Sequence, residues 1–146
     1  MAEQTEGSIE ISATAEEVMK VLTDFDAYPE WANGIRKAEV RKRDSNGRPS
    51  EVAFEVSQMG IVAQYTLAYG YRARFGGLSW TTKSASGAVR DIKGAYALKP
   101  SRVGTMVTYR TTIEPAIPMI GFVKRQAEKT IINTALVGLK KHVEGR

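Results

Sequence analysis

Five polar or charged side chains, Gln64, Arg72, Arg90, Asp91 and Arg110, fall inside runs that otherwise have the composition of β-strands. Arg110 stands out because it follows Tyr109 in a run that ends at Pro115. Facing inward, its guanidinium would need a carboxylate, for which Asp91 is the candidate, or an anionic or carbonyl-rich ligand, because an unpaired charge is too costly away from water. One face of an antiparallel sheet is usually solvated, so each of the five also reads as a plain surface residue. The remaining groups of interest are phenols. Tyr65, Tyr69, Tyr71, Tyr96 and Tyr109 share strand-like runs with Phe54 and Trp80. A Tyr ring buries apolar area while its hydroxyl can orient an oxygen on a bound molecule.

Other chemistries have little to work with. The chain has no Cys, which removes thiolate nucleophiles, disulfides and Cys-ligated metals together. Its one His, His142, sits in the C-terminal HVEGR and reads as a surface residue ending a helix, so a His-based triad or His-rich metal site is not expected. The glycines of "FGG" and "SNG" mark turns and lack the helix that a phosphate cradle requires. With no paired-carboxylate motif either, neither a metal nor an organic cofactor is expected.

The net charge of +5 is spread over Arg36, Lys37, Arg41, Lys42 and Arg43, and then Lys124, Arg125, Lys140, Lys141 and Arg146. Dispersed in this way it describes a solvated face; nucleic-acid binding is not expected, and weak contact with an anionic membrane surface stays open. The N-terminal "MAEQTEGSIEI" lacks the basic-then-apolar pattern of a secretory signal, and the longest apolar run, Ala116 to Val123, is too short to span a bilayer. A soluble, cytoplasmic protein of one domain, residues 1–146, is the expectation.

Ser8 to Ser12 alternate as a half-buried strand, with Ile9 and Ile11 on one side. In "TAEEVMKVLTDF", Thr14 and Glu17 have capping-box spacing, and Val18, Val21, Leu22 and Phe25 form one stripe of a short helix. Pro29 interrupts it, leaving "DAYPEWANG" for a turn or second short helix. Six strands are then predicted: Ile35 to Arg43, Glu51 to Ser57, Ile61 to Arg72, Leu78 to Ser84, Ala88 to Leu98 and Val103 to Ile113. Turn compositions separate them, so they should pair antiparallel as a meander. In Ile61 to Arg72 and Val103 to Ile113 both faces carry bulky residues, and the facing stays open. After Pro115 and Pro118 a long helical stripe runs to about His142 through Ile120, Val123, Ala127, Ile131, Ala135 and Leu139. The fold class is α+β: a curved seven-stranded antiparallel sheet wrapped around a long C-terminal helix, with two short helices between the first and second strands.

The opening "IEISATAEEVMKVLTDFDAYPEWANGI" resembles the start of the helix-grip superfamily, which includes START domains, polyketide cyclases, coenzyme-Q-binding proteins and the birch-pollen allergens. The matching features are the Ile9/Ile11 strand, the capped helix with Val18, the Leu22-Thr23-Asp24 exit, and Tyr28-Pro29 followed by Trp31. "GAYALKPSRVGTMVTYRTTIEP" is similar to the sixth and seventh strands of the bacterial cyclase/dehydrase-like branch. Members often carry Pro near Thr14 to Ala15; here the cap starts the helix without it.

The resemblance implies a deep, mostly apolar pocket between sheet and long helix, of the kind relatives use for lipids, sterols, quinones or polyketides. Tyr28 and Trp31 would then close one end, as a core plug or, for Trp31, as pocket wall. The expected lining is Trp31, Phe54, Tyr65, Leu67, Tyr69, Trp80, Tyr96 and Arg110 from the first half and the strands, with Ile120, Val123, Ala127 and Ile131 from the helix. Six Tyr against four Phe favour a partly polar cavity. The first expectation is a binding or carrier protein for a small hydrophobic ligand. The second, borrowed from aromatase/cyclase relatives, is a polyketide cyclase or dehydrase in which Arg110 with Tyr65 or Tyr96 polarises a carbonyl. The third is a basic-surface module for membrane or nucleic acid using Arg36 to Arg43.

Overall fold

The computed structural model describes residues 4–58, 60–118 and 121–145. Strand β1 (Gln4–Ile11) leads through Thr14 into helix α1 (Ala15–Thr23). The capping box forms as its spacing requires: Glu17 N–H donates to Thr14 Oγ1 at 3.1 Å, and Thr14 N–H donates to Glu17 Oε1 at 2.9 Å. Val18, Val21 and Leu22 of α1 are buried, and so is Phe25 in the 3₁₀ turn that follows. Pro29 then occupies the first turn of the four-residue helix α2 (Tyr28–Trp31), where its missing N–H costs nothing.

Strands β2 (Ile35–Arg43), β3 (Pro49–Gln58), β4 (Ile61–Tyr71), β5 (Gly77–Gly87), β6 (Val89–Pro100) and β7 (Thr105–Pro115) complete a seven-stranded antiparallel sheet in the order β1-β7-β6-β5-β4-β3-β2. Helix α3 (Gly121–Ile132), a π-helical turn (Asn133–Gly138) and α4 (Leu139–Glu144) run on from one another as the long C-terminal rod. Ala135, Leu136, Leu139 and Val143 bury its inner stripe. The rod is closest to β1: a Cβ on Gly7 would lie 3.0 Å from Leu136 Cδ1, and Lys140 Nζ donates to Glu10 O at 2.8 Å. Among the described residues, no helix is long and apolar enough to cross a membrane.

Both unassigned strands are settled by which members of each alternation reach the core. In β4, Ala63 and Leu67 are buried and Tyr65 and Tyr69 pack against them, whereas Val62 and Gln64 are exposed. In β7, Thr105, Val107, Tyr109 and Thr111 face inward. Period-two geometry then turns Arg110 outward. The β5–β6 ladder holds from Gly77 to Trp80. Beyond it Thr82 Oγ1 substitutes for the backbone, accepting from Ile92 N–H at 2.6 Å and donating to Ile92 O at 2.8 Å.

Edge strand β2 carries Arg36, Lys37, Arg41, Lys42 and Arg43, all exposed. Lys37 and Arg41 bracket Glu39 at 3.6 and 3.1 Å, and Lys42 reaches Glu51 at 3.5 Å. A charged edge of this kind discourages strand addition from a second chain.

Candidate ligand cavity

Between the sheet and the long helix lies a cavity of about 180 Å³. The same alternation that buries Phe54 on β3 and Trp80 on β5 brings Val56 and Leu78 to its wall. Leu67, Tyr65 and Tyr69 come from β4, Ile92 and Tyr96 from β6, and Tyr109, Thr111 and Ile113 from β7. Helix α2 contributes Tyr28 and Trp31, and the rod contributes Ile131, Thr134 and Ala135. A second lobe, also about 180 Å³, extends toward Ile61, Ala88, Pro115, Ile117 and Ala127. Val56, Gln58, Tyr65, Ile92, Ile113 and Ile131 line both. An apolar cavity of ~150 Å³ holds one benzene ring, so each lobe suits about one ring.

The wall is built on ring contacts. Phe54 and Tyr65, paired across β3 and β4, lie 5.4 Å apart, and Tyr69 is 4.8 Å from Phe25 and 6.1 Å from Trp80. Gly94 sits opposite Trp80 in the β5–β6 ladder, and a Cβ there would come within 2.8 Å of Trp80 Cζ2. The missing side chain is what lets the indole lie against the sheet. At the other side, Gly34 has a φ of +93° and a Cβ there would meet Gln58 Oε1 at 2.5 Å, so glycine serves both the turn and the position of Gln58.

Hydroxyl partners sort the tyrosines. Tyr28 donates to Leu22 O at 2.6 Å, Tyr71 to Pro49 O at 2.6 Å, and Tyr96 to Ala135 O at 2.9 Å inside the π turn. Among the described residues, Tyr65 and Tyr69 have no protein partner for theirs, and the buried Trp31 N–H has no acceptor. Burial pushes the Tyr28, Tyr65, Tyr69 and Tyr96 phenols well above their ordinary value. It lifts Tyr109 to about 12, with a hydrogen bond to Thr111 pulling the other way. Tyr71 also rises to about 12 through burial and the nearby Asp44 carboxylate, opposed by Arg48 and Arg43. All six are neutral at physiological pH.

Eight residues expected at a pocket therefore share the first lobe: Trp31, Phe54, Tyr65, Leu67, Tyr69, Trp80, Tyr96 and Ile131. Ala127 lines the second. Ile120 and the side chain of Val123 lie outside the described residues. Arg110 is a correction. It faces away from the cavity, its side chain is 52% exposed, and it pairs with Glu6 on β1 at 2.9 Å rather than with Asp91. Tyr109 occupies the inward position, so its neighbour cannot. Tyr28, Ile35, Ile92, Tyr109 and Ile113 were missed as lining; Tyr109 and Ile113 were legible once β7 had a facing. Asn33, Gln58 and Thr134 carried no sequence signal, because they are polar residues at a turn, a strand end and a helix position that only the closed fold brings to the wall. His142 is not a plain surface residue: its ring stacks on Trp31 at 6.3 Å. Among the described residues, no group of three or more His, Cys, Asp or Glu side chains could hold a metal ion.

The sequence profile described as polyketide cyclase / dehydrase and lipid transport matches residues 2–144. The chain belongs to that family. Among solved structures, a START superfamily protein from Mycobacterium smegmatis superposes with a TM-score of 0.84 at 24% identity, covering 97% of each chain. The Zhui aromatase/cyclase from Streptomyces sp. R1128 gives 0.74 at 14% identity over 99% of this chain and 94% of its own. A STAR-related lipid transfer protein from Xanthomonas axonopodis gives 0.70 at 19% identity over 95% and 84%. At these identities the likeness is one of fold, the helix grip. No curated protein matches the chain by sequence. The family's polyketide cyclase / dehydrase and lipid transport fold is thus present with a ligand-sized, aromatic-walled space inside it.

Proposed function

We propose that the protein binds and carries a small, mostly apolar molecule in this two-lobed cavity. One observation carries the reading: among the described residues neither lobe has a charged side chain in its wall, and rings and aliphatic groups dominate both. Such a wall repays desolvation of apolar surface and offers a few neutral polar groups for orientation, which is the usual make-up of a small-molecule site.

The polyketide cyclase reading is weakened at its active group. Arg110, the cation that would have polarised a carbonyl, is on the opposite face of the sheet. The phenols that remain are driven further from neutral pH by burial, which makes them poor proton-transfer groups. The basic strand reading also loses support, since Glu39 and Glu51 sit among its cations.

Native mass spectrometry of protein purified from its own host tests the proposal. A co-purifying small molecule released on denaturation is the expected result. Bare protein, together with no change in melting temperature across a panel of hydrophobic compounds, would refute it.

A further inference from the structure

The meander puts the β2–β3, β4–β5 and β6–β7 connections at one end of the sheet. Two of these tips are neighbours, since Leu98 N–H at the end of β6 donates to Gly76 O in the β4–β5 connection at 3.0 Å. Each presents a large apolar side chain to water: Phe75 is 48% exposed and Val103 56%. Arg74 and Phe75 both have left-handed backbone, with φ of 58° and 56°. That region is disfavoured for bulky residues, so a ring held outward on it marks a place where the chain carries strain at its surface.

Cations surround the two side chains. Arg72 and Arg74 flank Phe75 in one tip, and Lys99 and Arg102 precede Val103 in the other; all four are exposed and, among the described residues, none has a carboxylate partner. The third tip is closed on itself, with Arg48 paired to Asp44 at 3.0 Å and Arg43 donating to Gly47 O at 2.9 Å. Helix α1 packs against the Ala73–Phe75 turn and brings Glu16, Glu17, Lys20 and, at its end, Asp24, with Glu17 tied into the capping box; the end as a whole stays positive. We propose that this end of the sheet docks on an anionic lipid surface, with Phe75 and Val103 entering the headgroup region and the four cations meeting lipid phosphates. Apolar side chains on separate protruding tips suit a deformable partner, whereas a stable protein interface needs about 800 Å² of surface per partner. Burying the ring recovers apolar area now spent in water, and the fixed cations supply the attraction. The surface is distinct from the cavity and from the paired charges of β2, and the proposal does not depend on what the cavity holds.

Co-sedimentation of the full chain with vesicles of phosphatidylcholine, with and without phosphatidylserine, at physiological salt tests it. Wild type should partition onto the anionic vesicles and little onto the neutral ones. Arg74→Gln and Arg102→Gln should each weaken partitioning about fivefold, the contribution of one cation near a charged bilayer. Phe75→Asn should weaken it about tenfold through lost apolar burial. Asn tolerates the left-handed backbone, so this variant should melt at or above the wild type. Arg36→Gln is the control: it removes the same charge from the exposed start of β2, at the opposite end of the sheet, and should change partitioning less than about twofold. Wild type that ignores anionic vesicles would overturn the proposal, and if it then bound poly-glutamate the patch would belong to an acidic protein surface. An Arg36→Gln loss equal to that of Arg74→Gln would reduce the effect to net charge, and a Phe75→Asn variant that partitions like wild type would remove the apolar anchor; either result overturns the docking geometry.

Discussion

Replacing Tyr96 with Phe removes one oxygen from the middle of the molecule and tests how the long helix is held to the sheet. Tyr96 is buried, and its hydroxyl donates to Ala135 O at 2.9 Å. Ala135 lies in the π turn, where the regular helical ladder is interrupted. The substitution keeps the ring contacts with Trp80 at 5.8 Å and Tyr109 at 4.9 Å, so little packing is lost. The cost is then that of a buried carbonyl left without its donor, about 1–3 kcal/mol. For a chain of this size that corresponds to a fall in Tm of about 2–12 °C. Urea denaturation should show a lower midpoint with an unchanged slope, since the surface exposed on unfolding is the same. Tyr65→Phe is the matched control: it deletes the same group from the same cavity, but one with no protein partner. Should Tyr96→Phe prove as stable as wild type, or no less stable than Tyr65→Phe, the hydroxyl does not anchor the π turn.

Further outcomes follow from the same geometry. The phenols have higher pKa values in the fold than in the unfolded chain, where they ionise near pH 10. Their contribution is therefore complete below about pH 10 and is lost as pH rises toward 12: the unfolding midpoint should be insensitive to them through about pH 9 and then fall, with the tyrosinate absorbance appearing together with unfolding. Arg110→Ala breaks an exposed pair with Glu6; stability measured in urea should change by less than about 1 kcal/mol, and ligand affinity should not change. Gly94→Ala would drive a Cβ into Arg110 O and place it 2.8 Å from Trp80 Cζ2, and should cost about 1–3 kcal/mol by thermal or urea denaturation.

Where a residue's position depended on its near neighbours, the sequence was readable. The capping box at Thr14 and Glu17, the span Ile35–Arg43 of β2, and the inward set Phe54, Leu67, Trp80 and Ile131 all follow from spacing and period. The ends of strands shifted by a few residues, as in β1, which begins at Gln4 rather than Ser8. The π turn interrupts a helix whose three- and four-residue stripe runs through it unbroken, so nothing local announced it. Arg110 was misplaced because both faces of β7 carry bulky residues, and amphipathicity cannot choose between Tyr109 and its neighbour.

By itself, then, the sequence determined the order and type of the elements and the kind of wall they could make, because backbone period, capping and turn chemistry act over a few residues. It also determined what the cavity would lack, a thiol, through composition alone. Which tyrosine hydroxyls are spent on the fold and which keep no protein partner was decided only by the tertiary structure. Tyr96 finds Ala135 thirty-nine positions away and Tyr71 finds Pro49 twenty-two away, whereas Tyr65 and Tyr69 find no acceptor among the described residues. Hydrogen-bond satisfaction depends on distances between remote segments, and those distances exist only once the sheet has closed around the helix.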